Sequence, residues 1–199
     1  VSDSSDPTQG WKAVSFDAGF FGVEPPQNEQ WLGSPRLGID ADGIYVPVYL
    51  KDANIPSASY GWLAIPKSGL LASTPSINNA TLEIYHPSDP GKVPDFVTAA
   101  VDFDPAKGRY PLIADTFDAT HVAHITNVLG PGPAQISPST AIPTSAPGTF
   151  SAMPTAPQPG GLPLIRTNSE IGPTANTVVV GNSAWYVRTV NVNGRAAIR

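Results

Sequence analysis

Six aspartates lie near the ends of predicted β-strands, where carboxylates can bind a hard cation or work as a general acid and base. These residues are Asp40, Asp42, Asp102, Asp104, Asp115 and Asp118. The segment Asp102-Phe103-Asp104 places two carboxylates on one face of a strand, a spacing that suits oxygen ligation or acid–base catalysis. The pair Asp104-Pro105 also suits the start of a turn. We therefore predict a binding role, and no catalytic role, for Asp102, Asp104, Asp115 and Asp118.

Calcium is the cofactor to consider at Asp40-Ala41-Asp42-Gly43, which is similar to the start of a calcium-binding loop. Asp40 and Asp42 are the candidate metal ligands. The segment lacks the downstream acidic spacing of an EF-hand, and the turn preference of Asp42-Gly43 explains the same residues without an ion. The sequence leaves both interpretations open.

The remaining motifs do not indicate a reaction. His121 and His124, at positions i and i+3 of a predicted strand, face opposite sides and cannot share one metal ion without a bulge. The chain contains no cysteine, and it lacks a Gly-x-Ser-x-Gly nucleophile elbow, a phosphate-binding loop and a dinucleotide-binding glycine motif. Tryptophans can stack on sugars, but core packing is the favoured interpretation for all four. They are Trp11, Trp31, Trp62 and Trp185.

Composition limits the architecture that can position these residues. The chain has 199 residues, including 18 glycines and 23 prolines. Proline at about twice its average share excludes a helical bundle or coiled coil, and a hydrophobic content of 41% argues against disorder. The formal net charge of −5 comes without any cluster of Lys and Arg, which disfavours nucleic-acid binding. No apolar run is long enough for a membrane-spanning helix.

The apolar runs have the length and alternation of β-strands separated by turns. Strands are predicted over residues 13–16, 36–40, 44–50, 62–66, 81–85, 96–101, 110–115, 120–126, 177–180 and 184–190. Asp42-Gly43 and Asn193-Gly194 have the composition of tight hairpin turns, and only residues 67–71 suggest a helical turn. The pattern predicts an all-β fold.

Three hairpins share one plan of a strand, a short polar turn and an aromatic or β-branched second strand. Their second strands centre near Tyr45, Val122 and Tyr186, at intervals of about 77 and 64 residues. Repeated short strands are typical of β-propeller blades, which usually span about 40 to 50 residues, so blades of this spacing would be long ones. A ring takes about 4 to 8 blades, so about three blades predict a fragment of a larger propeller over residues 1–199. The absence of an initiator methionine and a short final strand favour the same expectation. The expected partner is the rest of its own propeller or other protein chains.

Residues 130–163 are rich in proline and show no periodicity. This composition is typical of a long extended connection, here between blades, and we predict that role. The alternative is an exposed recognition segment in polyproline II conformation.

Five groups of residues carry a resemblance that covers nearly the whole chain. They are 1–11, 35–45, 64–71, 156–160, and 183–189 together with 195–199. In this order they resemble exported bacterial β-propeller proteins, mostly uncharacterised, of the sialidase-like or WD40-like group. The resemblance implies a propeller fold and an extracellular or periplasmic location, and it carries no catalytic residues. The sialidase Asp-box, Ser-x-Asp-x-Gly-x-x-Trp, is not found in the chain.

These observations predict a non-catalytic structural or binding module of an exported protein. One alternative is a carbohydrate-active hydrolase whose acidic residues line the propeller funnel. Two carboxylates within about 5 to 10 Å of each other in a pocket with aromatic walls would favour that enzyme. A second alternative is a scaffold stabilised by calcium.

Overall fold

A computed structural model of the chain describes residues 2–6, 8–15, 31–33, 36–51, 59–85, 89, 97–98, 100–104, 108–115, 119–143, 160, 177–187, 189–192 and 195–198. In these ranges the first strands are β1 (Trp31–Gly33), β2 (Gly38–Ile39), β3 (Gly43–Lys51), β4 (Ser59–Pro66), β5 (Thr81–Tyr85), β6 (Val97–Thr98), β7 (Ala100–Asp102) and β8 (Arg109–Asp115). The later strands are β9 (Ala119–Thr126), β10 (Gln135–Ile136), β11 (Thr140–Pro143), β12 (Thr177–Val180), β13 (Ser183–Trp185), β14 (Thr189–Val192) and β15 (Arg195–Ile198). The helix α1 (Lys67–Leu70) has four residues. The all-β prediction is confirmed, and no helix of the described residues could span a membrane.

The larger sheet has eight strands in the order β13-β12-β7-β2-β3-β4-β5, with β1 paired to β3. Within it β2, β7 and β12 run parallel. Parallel strands need a crossover connection between them, and the chain between β7 and β12 contributes β8 to β11 to the second sheet. That sheet has five strands in the order β10-β9-β8-β6, with β11 paired to β9. A separate hairpin, β14–β15, completes the described strands, which form no closed ring.

The strand predictions are confirmed in most places, and β5 and β12 coincide with the predicted ranges. The strand predicted over 13–16 is wrong for residues 13–15, which form no strand, and Phe16 lies outside the described residues. The nearest ladder contact is an isolated bridge between Trp11 and Ser2. Val14 instead packs its side chain against a buried cluster. The Pro-rich stretch 130–163 is not all connection, since it contains β10 and β11. Pro143 ends β11, whose only described ladder is with β9, and a proline is tolerated at such an edge.

The main core lies between the two sheets, because strands of both supply its buried side chains. Its members are Tyr45, Trp62, Ala64, Tyr85, Ala100, Tyr110, Leu112, Ala123, Ile125, Ile136 and Val179. A second cluster lies on the opposite face of the larger sheet, where Leu63 and Ile65 of β4 meet Leu70 and Ile77. Residues of β4 therefore alternate between two cores, which explains why residues 61–66 are all buried and read as one apolar run.

Two side chains of β5 join the larger sheet to the smaller one. The Thr81 hydroxyl accepts a hydrogen bond from the Ala134 amide (3.2 Å), and the Glu83 carboxylate accepts one from the Ile136 amide (2.8 Å). β5 ends the larger sheet, so these contacts also cover its edge. Covering an edge in this way prevents pairing with foreign strands.

We expect Glu83→Ala to lower the free energy of unfolding by about 1 to 3 kcal/mol, because the amide of the buried Ile136 loses its acceptor. Glu83→Gln is the matched control, since its side-chain oxygen can still accept that bond. Urea unfolding measures the loss, and hydrogen exchange locates it. Unchanged exchange at Ile136 in Glu83→Ala would contradict this role.

Candidate functional site

The parallel order of β2 and β7 brings two of the predicted site residues to the same end of the larger sheet. Asp40 follows Ile39, Asp102 follows Val101, and Ile39 is paired with Val101. Alternation along the strands puts both aspartates on the face that contributes to the main core. Both are buried, with 6% and 5% of their surface exposed.

Asp40 organises the turn between β2 and β3. Its Oδ1 accepts hydrogen bonds from the amides of Asp42 (2.9 Å) and Gly43 (2.8 Å) and from the hydroxyl of Tyr45 (3.1 Å). Its backbone carbonyl accepts a hydrogen bond from the Lys67 ammonium. The Lys67 amide donates to the carbonyl of Asp42 (2.9 Å), so both ends of this lysine hold α1 against the turn.

Two stacked tyrosines fill the space beneath the strand ends. The rings of Tyr45 and Tyr110 are 3.7 Å apart and inclined by 14°, and both residues are fully buried. The Tyr110 hydroxyl accepts a hydrogen bond from the Ala100 amide and donates one to the Ala100 carbonyl (2.7 Å). A Cβ at position 38 would lie 1.9 Å from this hydroxyl, so only glycine fits there.

Asp102 and Asp104 connect β7 to the β12–β13 turn. Asp102 Oδ1 accepts a hydrogen bond from the Asp104 amide (2.9 Å). Asp104 Oδ2 accepts one from the amide of Gly181 (2.6 Å), which has a left-handed φ of 61°. The sequence placed these two carboxylates on one strand face, but only Asp102 lies in the strand, because Asp104 already belongs to the bend that follows it.

The cluster at these strand ends consists of Asp40, Tyr45, Tyr110, Asp102 and Asp104. Burial changes the pKa values of some of its members. It raises the pKa of Asp40 above its ordinary value, and the bonds from the Gly43 and Asp42 amides oppose the rise. It also raises the pKa of Tyr45 and of Tyr110, with Asp40 adding to both shifts. Both tyrosines are therefore neutral hydrogen-bonding groups at physiological pH.

Only some of the predicted site residues belong to this cluster. Asp42 is half-buried and belongs to the same turn as Asp40. Asp115 ends β8, its side chain is outside the described set, and Asp118 lies outside the described residues. Among the residues that are described, no group of three or more acidic or histidine side chains could hold a metal ion. Calcium binding at Asp40 and Asp42 stays a prediction.

Sequence reasoning missed the two tyrosines as partners, although a signal was present. Asp40-x-Asp42 is followed by Gly43 and Tyr45, and Asp102-x-Asp104 by Gly108 and Tyr110. The same order of residue types occurs at both strand ends, with a longer insertion in the second.

The predicted core role of tryptophan is confirmed for Trp62 but wrong for Trp11 and Trp185, which are 65% and 67% exposed. The side chain of Trp31 is outside the described set.

Comparison with known proteins finds no family model, no curated protein and no solved structure that matches this chain. The chemistry of the cluster therefore has to be inferred from its own contacts. Among the described bonds, the carboxylates of Asp40, Asp102 and Asp104 accept from backbone amides of turns, and Asp40 accepts in addition from the Tyr45 hydroxyl. This arrangement holds strand ends together.

We expect Tyr110→Phe to destabilise the fold strongly, because the buried amide and carbonyl of Ala100 both lose their partner, at about 1 to 3 kcal/mol each. Tyr45→Phe is the matched control and should cost less, since Asp40 Oδ1 keeps two amide donors. Urea unfolding of both variants tests the order. Equal losses would contradict it.

The raised pKa of Asp40 predicts a pH dependence of stability. The folded state binds the Asp40 proton more tightly than the unfolded state does. The stabilisation that this proton provides is therefore complete below the ordinary pKa of about 4, and it is lost as pH rises through the higher pKa of the folded state. The Asp40→Asn variant keeps an oxygen acceptor at this position but has no group there that titrates. The free energy of unfolding of this variant should therefore fall less with rising pH than that of the wild type. Asp42→Asn controls for removing a charge from the same turn. Parallel pH profiles of wild type and Asp40→Asn would contradict the prediction.

Proposed function

We propose that this chain is a structural or binding module of the β-propeller type, and that it joins further β-structure through the open edge at β13. Two of the three predicted hairpins support the repeat: β2 with β3 and β12 with β13, both antiparallel pairs of the larger sheet. The third predicted hairpin, centred near Val122, is β8 with β9 and lies in the smaller sheet. In the larger sheet β2 and β12 run parallel on either side of β7. Blades related by rotation about a common axis require equivalent strands to point the same way along that axis.

One row of apolar side chains carries the proposal. Cross-strand pairs connect β4, β3, β2, β7, β12 and β13 on a single face of the larger sheet. In that order the row, which we call the apolar ladder, is Ile65, Ile44, Ile39, Val101, Val178 and Trp185. Exposure is 7% at Ile65, 40% at Val178 and 67% at Trp185. The ladder is thus covered at one end and open at the other.

Side chains from outside the sheet cover the apolar ladder at its β4 end. Leu70 of α1 and Ile77 pack on the β3–β4 end, forming the second buried cluster. At the β12–β13 end Val180 is 61% exposed, and Phe103, which follows β7, is 84% exposed. An apolar surface concentrated at one end of a sheet indicates an interaction site.

The strand at this end also has an unpaired side. β13 has a strand partner only in β12 within the described residues, and its residues Ser183, Ala184 and Trp185 are all exposed and uncharged. Natural sheet edges are usually blunted by charges, prolines or a covering segment, as β5 is covered by the chain at Ala134 and Ile136. Among the described residues, none of these features is found at β13. An added β-strand is therefore the partner that fits it.

Binding rather than catalysis is the role that these contacts favour, because the buried aspartates are bonded to turn amides. The carbohydrate-active hydrolase and the calcium-stabilised scaffold stay predictions. An extracellular or periplasmic location is part of the proposal and rests on the resemblance of the sequence to exported propeller proteins.

We expect the 199-residue chain to self-associate with rising concentration, because an open apolar edge without its partner pairs with another copy. Trp185→Lys should return it to a monomer by placing a charge on that edge. Leu71→Lys is the matched control, since Leu71 is 66% exposed but lies outside the apolar ladder. Light scattering coupled to size-exclusion chromatography measures the mass. A wild type that stays monomeric up to about millimolar concentration would overturn the proposal.

A further inference from the structure

A groove of about 360 Å³ lies between two loops on the side of the sheets away from β13. One wall comes from α1 and the connection to β5, with Ser68, Asn78, Asn79 and Thr81. The other comes from the connection between β9 and β10, residues 128–132. This volume is near the lower end of the range for ligand sites, about 300 to 1,000 Å³, so the groove suits a small molecule.

The lining of the groove is polar but uncharged. None of its lining residues is Asp, Glu, Lys, Arg or His. Ser68, Asn78, Asn79 and Thr81 carry hydroxyl or amide groups, each of which can both donate and accept hydrogen bonds. Pro66, Ala80, Leu129 and Pro131 add apolar surface. A ligand that matches this lining is neutral, carries many hydroxyl groups and also presents C–H surface.

The first wall is held in place by its own hydrogen bonds. The Ser76 amide donates to the Gly69 carbonyl (3.0 Å), and the Ala80 amide donates to the Ile77 carbonyl (2.8 Å). The Ser76 hydroxyl accepts a hydrogen bond from the backbone amide of Asn78 (3.1 Å). Ile77 anchors the turn in the second buried cluster. The two asparagine side chains are exposed at the tip of this turn.

The second wall is equally constrained. Asn127 has a left-handed φ of 60°, and its side-chain amide donates to the Pro133 carbonyl (3.1 Å). A Cβ at Gly130 would lie 1.6 Å from the Asn127 side-chain oxygen, so a larger residue there would displace the Asn127 side chain and its bond to Pro133. The bond from the Ala134 amide to Thr81 ties this wall to the first one. Fixed walls lower the entropy cost of binding a small ligand.

We infer that this groove is a binding site for a neutral sugar, recognised by Asn78 and Asn79. The inference goes beyond the proposed assembly role, since the groove and the β13 edge share no residue. The two ideas can therefore fail separately.

Titration of the ¹⁵N-labelled protein with neutral sugars tests the site. The probes are glucose, galactose, mannose and N-acetylglucosamine, and glucuronic acid is the charged counterpart of glucose. We expect at least one neutral sugar to shift the amide signals of Asn78, Asn79, Thr81 and Gly132 in a saturable way. Absence of saturable shifts with all four sugars, or tighter binding of glucuronic acid than of any neutral sugar, would overturn the inference.

Variants then assign the binding to the groove. Asn78→Ala and Asn79→Ala should each weaken the bound sugar about tenfold by removing hydrogen bonds. Asn182→Ala, an exposed asparagine in the β12–β13 turn, is the matched control. Trp185→Lys should bind the sugar like the wild type. Unchanged affinity in both Asn78→Ala and Asn79→Ala would overturn the inference, whatever the result for self-association.

Discussion

The hydrogen bonds to the buried carboxylate of Asp40 are the interactions on which the described structure depends. A buried carboxylate is costly unless hydrogen bonds satisfy it, and three donors converge on its Oδ1 from the turn and from Tyr45. Tyr45 in turn stacks on Tyr110, whose hydroxyl reaches the backbone of Ala100 in β7. One polar group just after β2 is therefore coupled through two aromatic rings to the neighbouring strand β7 and to the second sheet. The close approach of Tyr110 to Gly38 explains why the sequence needs a glycine in such a short strand.

The face of the larger sheet that carries the apolar ladder is covered at one end and exposed at the other. At the β4 end a short helix and a turn supply the cover, and Ile65 is buried. At the β13 end the same row of side chains continues to Trp185, which is exposed. Apolar surface of this kind gains free energy when it is removed from water, at about 25 cal/mol per Å². This contrast along a single face is the observation that supports the proposed assembly role.

The polar features of the chain divide into two kinds. Carboxylates near strand ends are bonded to backbone amides and set the geometry of turns, as Asp104 does for Gly181. The groove beside Asn78 and Asn79 has no charged lining residue and offers only amides, hydroxyls and backbone groups. Asp40, Asp102 and Asp104, which the sequence suggested as carriers of chemistry, thus hold turns in place, whereas less conspicuous asparagines line the described groove.

Local interactions explain what the sequence determined by itself. Alternation of apolar residues and the turn residues at Asp42-Gly43 were sufficient to predict β3, β5, β8, β9 and β12, because neighbouring residues set hairpin geometry. They were not sufficient to place Val14 outside a strand or to distinguish the buried Trp62 from the exposed Trp185, since both outcomes depend on which surface lies opposite. Only the tertiary structure decided that β2, β7 and β12 lie side by side in parallel. That pairing joins residues distant in the chain, and it alone brings Asp40 to Asp102 and places β13 at the end of the sheet that the described strands form.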